Sequence, residues 1–132
     1  MGSEPLTLLD THALVWWVNG TPELSAKARR AVRAGALMAS TISAFEVATA
    51  VRRGRLALGA PLDQWLADLA ALPEFSFQPV TEEIARIAGS LDESVPGDPA
   101  DRIIAATAIA HGARLVTADV RLRRVPHLKT VW

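Results

Sequence analysis

Short apolar runs alternate with helix-forming stretches from one end of this chain to the other, and no other feature restricts its fold as strongly. Leu6-Thr7-Leu8-Leu9, Ala36 to Ser40, Phe75 to Val80, Arg114 to Thr117 and Lys129 to Trp132 read as strands. The runs that are apolar on both faces belong in a sheet covered on both sides. Between the strands the spacing is helical: His12 to Val18, Ala26 to Ala34, a helix from Ser43 to Arg52, Pro61 to Leu72, a helix capped by Thr81 and ending near Ser90, and Ala100 to His111. The last is the most clearly bounded, with Asp98 as cap, Pro99 at the first position and Gly112 as terminator. In the helix from Ser43, the side chains of Phe45, Val47, Ala48 and Val51 are expected to face inward. Strands separated by helices join through right-handed crossovers. The expected class is therefore α/β: a three-layer α/β/α sandwich with a mostly parallel central sheet of four or five strands.

The chain has 132 residues, half of them hydrophobic at 50%, which is the size and composition of one domain with its own core. A single domain over residues 1–132 is expected, without linker or repeat. There is no cysteine, so disulfides, thiol nucleophiles and Cys-ligated zinc are excluded, and a reducing cytoplasm is the expected compartment. No stretch approaches the roughly 18 apolar residues of a membrane span. The start, Met1-Gly2-Ser3-Glu4-Pro5, lacks the basic flank and apolar segment of a signal peptide. Fourteen basic and 14 acidic residues give a formal net charge of +0, which gives no bulk electrostatic reason to bind nucleic acid or membrane. Only Lys27 and Lys129 are lysines, so the positive charge is nearly all arginine, the residue for forked contacts to phosphate and carboxylate. The arginine groups at 29/30/33, 52/53/55 and 121/123/124 are solvated faces by default, and become contacts to a polyanion or a partner only if they ring a site.

In open α/β sheets, ligands gather beyond the carboxyl ends of the strands. Four acids fall there: Asp10 after the first strand, Glu46 in the helix after the second, Asp101 in the first turn of the late helix, and Asp119 beyond the following strand. Each also has a structural explanation. Glu46 closes a capping box with Ser43, Asp101 suits a helix first turn, Asp119 can cap the segment Val120 to Arg124, and Asp10 can form an Asx-turn. Partners shift the balance. Asp98 has Arg102 four residues on, an ion pair that explains both, whereas the helix-face neighbours of Asp101 are Ile104, Ala105 and Ala108, and those of Glu46 are Thr49 and Ala50. Carboxylates on such faces must be neutralised, paired or bound to metal. Four of them converging call for a hard divalent cation, Mg²⁺ or Mn²⁺, of the kind that handles phosphate esters.

Four stretches then resemble one family in order: Leu8-Leu9-Asp10-Thr11-His12-Ala13-Leu14-Val15-Trp16-Trp17; Ser43-Ala44-Phe45-Glu46-Val47 followed by Arg53-Gly54-Arg55-Leu56; Gly97-Asp98-Pro99-Ala100-Asp101-Arg102-Ile103-Ile104-Ala105-Ala106-Thr107-Ala108; and Leu115-Val116-Thr117-Ala118-Asp119. They resemble the PIN-domain ribonucleases of the VapC toxin type, over nearly the whole chain. The resemblance implies a PIN-like fold and an acidic quartet of Asp10, Glu46, Asp101 and Asp119. Asp10 and Asp101 would be the principal metal ligands, with Glu46 and Asp119 holding water or a second ion. Thr117, Thr11 and Asp98 would support them, Asp98 structurally. It further implies Mg²⁺- or Mn²⁺-assisted hydrolysis of RNA phosphodiesters by activated water. The implied partners are the RNA substrate, a VapB-type antitoxin and a second copy of the chain in a homodimer, with no membrane.

The remaining polar and aromatic groups are read structurally. His12 is expected to face away from the site, His111 sits at a helix C-terminus, and His127 lies in a surface turn. Trp16, Trp17 and Trp65 are expected in the core or a subunit contact rather than as base-stacking platforms. Two alternatives share the fold: a PIN nuclease that processes RNA, and a catalytically silent binding module, which loss of site acids would mark. A phosphoacceptor domain would need paired acids after the first strand, and Asp10-Thr11 does not supply them. The scattered glycines form neither a dinucleotide fingerprint nor a P-loop.

Overall fold

The computed structural model describes residues 5–132; residues 1–4 of the expected domain, and with them most of the opening read for a signal peptide, lie outside the described residues. The order is β1 (Thr7–Leu9), α1 (Thr11–Asn19), α2 (Ala26–Val32), β2 (Leu37–Ser40), α3 (Thr41–Arg52), α4 (Leu62–Ala70), β3 (Phe75–Gln78), α5 (Glu82–Ser90), α6 (Pro99–His111), β4 (Arg114–Val116), α7 (Val120–Arg123) and β5 (Thr130–Val131). The five strands form one sheet in the order β3-β2-β1-β4-β5, and every pairing is parallel.

The period of two along each strand divides the core into layers. Leu9, Leu37, Ala39 and Val116 pack on one face with Ala13 and Leu14 of α1, Ala28 of α2, Val47 of α3 and Trp65 of α4. Their chain neighbours Leu8, Met38 and Leu115 pack on the other face with Ile104 and Ala108 of α6 and Leu122 of α7. Helix α5 adds Ile84 and Ala88 against Ala106 of α6. This is the expected α/β/α sandwich, with a wholly parallel sheet of five strands. No helix among the described residues is long and apolar enough to cross a membrane.

Strand order reverses beside β1: the chain leaves β1 toward β2 on one side, while β4 comes to lie on the other. A crevice opens at the carboxyl ends of the strands at such a switch point. The register pairs Leu9 with Ala39 of β2 and with Val116 of β4, so Asp10, Ser40 and Thr117 leave the sheet side by side.

Several local expectations are corrected. Helix α3 is capped by Ser40, whose hydroxyl accepts from the Ile42 N–H, so it starts ahead of Ser43, and Ser43 is buried inside it. Pro61 is the N-cap residue of α4 rather than its first helical residue. Asp98, Pro99 and Gly112 bound α6 as expected, Gly112 with the positive φ of 61° that glycine accommodates without strain. The expected Asp98–Arg102 pair is absent from the ion pairs among the described residues. The Arg102 guanidinium instead donates to backbone carbonyls: Ala88 at 2.9 Å, Val95 at 3.3 Å, Asp92 at 3.4 Å, and Leu91. It satisfies the open end of α5 and ties down the loop that leads into α6, while Asp98 turns to its own helix and accepts from Ala100 and Asp101 N–H groups.

Two substitutions separate these roles. Arg102→Ala is expected to lower the free energy of unfolding by about 1.5–3 kcal/mol, because no other side chain spans those carbonyls. Asp98→Asn, which keeps the capping acceptor, is expected to change it by less than about 0.5 kcal/mol. Urea denaturation of both variants decides it, since an Asp98–Arg102 pair would make their losses comparable.

Candidate active site

At the switch point a cavity of about 980 Å³ is lined by Asp10, Glu46, Asp98, Asp101 and Asp119. Four elements deliver these acids to one place, and each is held by a local interaction. Asp10 follows β1 directly: its N–H donates to the Val116 carbonyl at 3.2 Å, and its carboxylate caps α1 by accepting from the Ala13 N–H at 2.8 Å. Only 8% of its surface is exposed. Burial pushes this carboxyl above the ordinary range, against the opposing hydrogen bonds from Thr117 and from the Ala13 N–H.

Glu46 lies on α3 and accepts from the Thr11 hydroxyl at 2.5 Å; that hydroxyl also lies 2.9 Å from Ser43 Oγ. The contact is between helices, so Glu46 is no capping-box partner. Thr117 is fully buried at the end of β4, and its hydroxyl accepts from the Asp119 N–H at 3.1 Å, which fixes the turn carrying Asp119. Asp119 caps the single turn of α7 through the Arg121 N–H at 2.8 Å. Asp98 lines the same cavity but is committed to capping α6. The structural and the chemical explanations of these acids therefore coexist.

Asp101, in the first turn of α6, was expected to lack a cation on its helix, and its partner comes from elsewhere. Arg121 of α7 reaches it at 3.6 Å while forking onto Asp119, with Nη2 at 3.1 Å and Nε at 3.3 Å. The Arg121 guanidinium holds the Asp119 carboxyl below the ordinary range. Asp101 is nevertheless pushed up to about 6, first by burial and then by the carboxylates of Asp98, Asp119 and Glu46, with Arg121 opposing them. Arg121 was missed because nothing marked it off from its neighbours Arg123 and Arg124. The available signal was its position two residues after a capping acid, where first-turn side chains lean back toward the helix N-terminus.

A hard cation suits this donor set, which is all carboxylate oxygen, and the structure holds a stand-in for one: a guanidinium bridges acids from α6 and from the β4–α7 turn. As the side chains stand, no three acidic or histidine groups among the described residues converge closely enough to hold an ion together.

The same cavity also has a basic and apolar lining. Arg52, Arg53 and Arg55 line it with Trp16, Phe45 and Leu56. Gly54, with φ of 71°, turns the chain after α3 so that Arg55 returns to the cavity. Arg29, Arg30 and Arg33 of the α2 segment, and Arg123 and Arg124, are not among the lining residues. Two expectations are overturned here. Phe45 does not face inward but is 67% exposed at the rim, because the inward face of α3 is the one carrying Ser43 and Val47. His12 does not face away: α1 begins at Thr11, so its first turn points His12 at the cavity, with its ring 5.6 Å from that of Trp16. Trp65 is in the core; Trp16 and Trp17 only pack against it, half-buried.

Comparison with known proteins follows the same lines. Residues 7–128 match the PIN domain family model. The chain is 44% identical over 128 residues to Ribonuclease VapC22 of Mycobacterium tuberculosis, across 95% of this chain and 97% of that protein. Its fold is similar to that in the crystal structure of VapBC2 from Rickettsia felis bound to a promoter DNA fragment, with a TM-score of 0.66 at 20% identity, covering 95% of this chain and 96% of that one. A similar likeness holds to FitAcB from Neisseria gonorrhoeae, with a TM-score of 0.64 at 21% identity over 94% of this chain and 95% of that one.

The raised Asp101 carboxyl makes a prediction about stability in the absence of divalent ions. Below the ordinary carboxylate pKa the group is protonated in both folded and unfolded chains. Between there and about 6 the folded chain binds the extra proton, so stability falls as pH rises through this window and the loss is complete above it. Asp101→Asn removes the penalty. The variant is expected to melt above the wild type at pH 7.5, with the gap narrowing as pH drops through 6 toward 4. A variant melting at or below the wild type at pH 7.5 would mean that the Arg121 contact outweighs burial.

Proposed function

This chain belongs to the PIN-domain family, with the VapC ribonucleases, and on that premise we propose that it is a divalent-metal-dependent endoribonuclease, the toxin of a toxin–antitoxin pair. The observation that carries the reading is the meeting of Asp10, Glu46, Asp101 and Asp119 on one cavity that Arg52, Arg53 and Arg55 also line. The carboxylates would hold a cation and the arginines phosphate, the two requirements of metal-assisted phosphodiester hydrolysis.

The principal ligands are Asp10 and Asp101, with Glu46 and Asp119 beside them. A bound Mg²⁺ or Mn²⁺ supplies a water of lowered pKa and offsets charge on the phosphoryl oxygens and leaving group. The chain's own residues do the rest. Thr11 orients Glu46 by donating to it, and Thr117 fixes the turn that carries Asp119. Asp10, buried at the sheet edge, stays in place by capping α1. Arg52, Arg53 and Arg55 meet the backbone phosphates flanking the scissile one, and the exposed Phe45 offers flat apolar surface to an adjoining base. No side chain of the cavity need act as a covalent nucleophile.

The partner reading, a VapB-type antitoxin, is supported by the company of the fold: similar structures include a toxin–antitoxin complex from Klebsiella pneumoniae, matched at a TM-score of 0.64 over 92% of this chain and 94% of that one. A homodimer is proposed with it, on the family resemblance.

The experiment is RNA cleavage by purified protein with Mg²⁺ or Mn²⁺, wild type beside Asp10→Asn. The asparagine carbonyl retains the α1 cap and the buried charge is removed, so the variant is expected to keep its circular dichroism and to melt no lower than the wild type while cleavage falls to background. Equal cleavage by the variant, or none by the wild type across total cellular RNA, would sink the assignment. Growth arrest on induced expression, with cleavage sites mapped against the same variant, separates a toxin from an RNA-processing enzyme.

A further inference from the structure

Arg121 is placed unlike every other arginine of the cavity. Among the described residues, the ion pairs of the site are its two alone, to Asp101 and Asp119. Arg52, Arg53 and Arg55 line the same space and appear in none of them. The fork onto Asp119 engages both of its oxygens, Nε to Oδ1 and Nη2 to Oδ2, and Nη2 also faces Asp101 Oδ2. One guanidinium thus fills the gap between two carboxylates that come from different elements.

We propose that Arg121 is the resident counter-cation of the acidic floor, which a divalent ion must displace to reach Asp101 and Asp119, so that ion binding releases a guanidinium into the cavity. This rests on the metal-dependent reading above. The physical argument is competition for the same oxygen atoms: Asp119 Oδ1 already accepts from the Arg121 N–H and Nε and Oδ2 from Nη2, so three of its four lone-pair directions are taken, and the guanidinium charge stands between this carboxylate and Asp101. Displacement is cheap, because the Arg121 side chain is 64% exposed and ion pairs at that exposure are weak in water. The loading order follows. Before the ion arrives, Arg121 neutralises the acids and is unavailable to substrate. Afterwards the freed guanidinium joins Arg52, Arg53 and Arg55 in the same cavity, and the local charge becomes more favourable to phosphate. The pair also gives the protein without metal a way to keep Asp101 and Asp119 together.

The test is titration of the folded protein with MnCl₂ alone, followed by calorimetry, for wild type, Arg121→Ala, Arg121→Lys and Arg123→Ala. Arg123 is exposed on the same turn of α7 and does not line the cavity, so its loss removes the same formal charge without freeing the carboxylates. Arg121→Ala is expected to bind Mn²⁺ roughly tenfold more tightly than wild type, as loss of two exposed pairs implies. Arg123→Ala should stay within about twofold of wild type, the size of a screened charge effect. Arg121→Lys, which keeps the charge and loses the fork, should fall between wild type and Arg121→Ala. Equal gains in Arg121→Ala and Arg123→Ala would reduce the effect to net charge and overturn the proposal, as would unchanged or weaker binding by Arg121→Ala. Absence of Mn²⁺ binding in all four proteins would instead overturn the metal-dependent reading and this proposal with it.

Discussion

The structure turns on one carboxylate kept out of water at the carboxyl end of a parallel sheet. Asp10 is buried because the register of β1 with its two neighbours leaves it between Ser40 and Thr117, and a charge there is tolerable only if the surroundings compensate it. The fold supplies compensation from the backbone. In a parallel α/β sheet each helix that follows a strand starts at the carboxyl edge, so α1 and α3 direct unpaired N–H groups toward the same rim, and α6 begins there too. Asp10, Ser40 and Asp98 each satisfy some of these donors. The arrangement that stabilises isolated acids as caps is also what gathers them, and gathering them creates the excess negative charge seen at Asp101.

That origin explains how much was legible beforehand. The strands and layers were readable because Leu8 and Leu9, or Met38 and Ala39, are apolar on both faces and bounded by turn residues, a pattern with one good solution. The acids were readable because strand ends are the one place in this fold class where side chains from distant segments must meet. What escaped was the identity of partners across elements. Ser43-Ala44-Phe45-Glu46 satisfies the spacing of a capping box, yet Ser40, three residues earlier, does the capping and Glu46 is held by Thr11 from another helix. Asp98 and Arg102 have the spacing of an ion pair, yet four backbone carbonyls from the segment 88–95 outcompete a single carboxylate for the guanidinium. In both cases local spacing offered a plausible partner, and tertiary packing offered a better one.

Phe45 shows the same limit for apolar residues. Helical periodicity states which residues share a face but not which of two adjacent faces turns to the sheet. On α3 the small and buried Ser43 together with Val47 settles it, allowing close approach to the sheet and to Thr11. Phe45 is thereby rotated to the rim, one residue from Glu46. An aromatic side chain left in water at the rim of a charged cavity is surface open to a ligand rather than a packing defect.

The neutral total charge of the chain conceals a local concentration of charge. Five carboxylates and four arginines line the cavity, so the site is close to neutral by count while it gathers charges of both signs into one space. One of those arginines, Arg121, is already paired with two of the acids, whereas Arg52, Arg53 and Arg55 form no ion pair among the described residues. Arginines placed elsewhere, at positions 29, 30 and 33, contribute to the total and not to this field. Net charge was for that reason a poor guide to the site: the sum hides how many charges of both signs one cavity gathers, and that is fixed by which strand ends the sheet brings together.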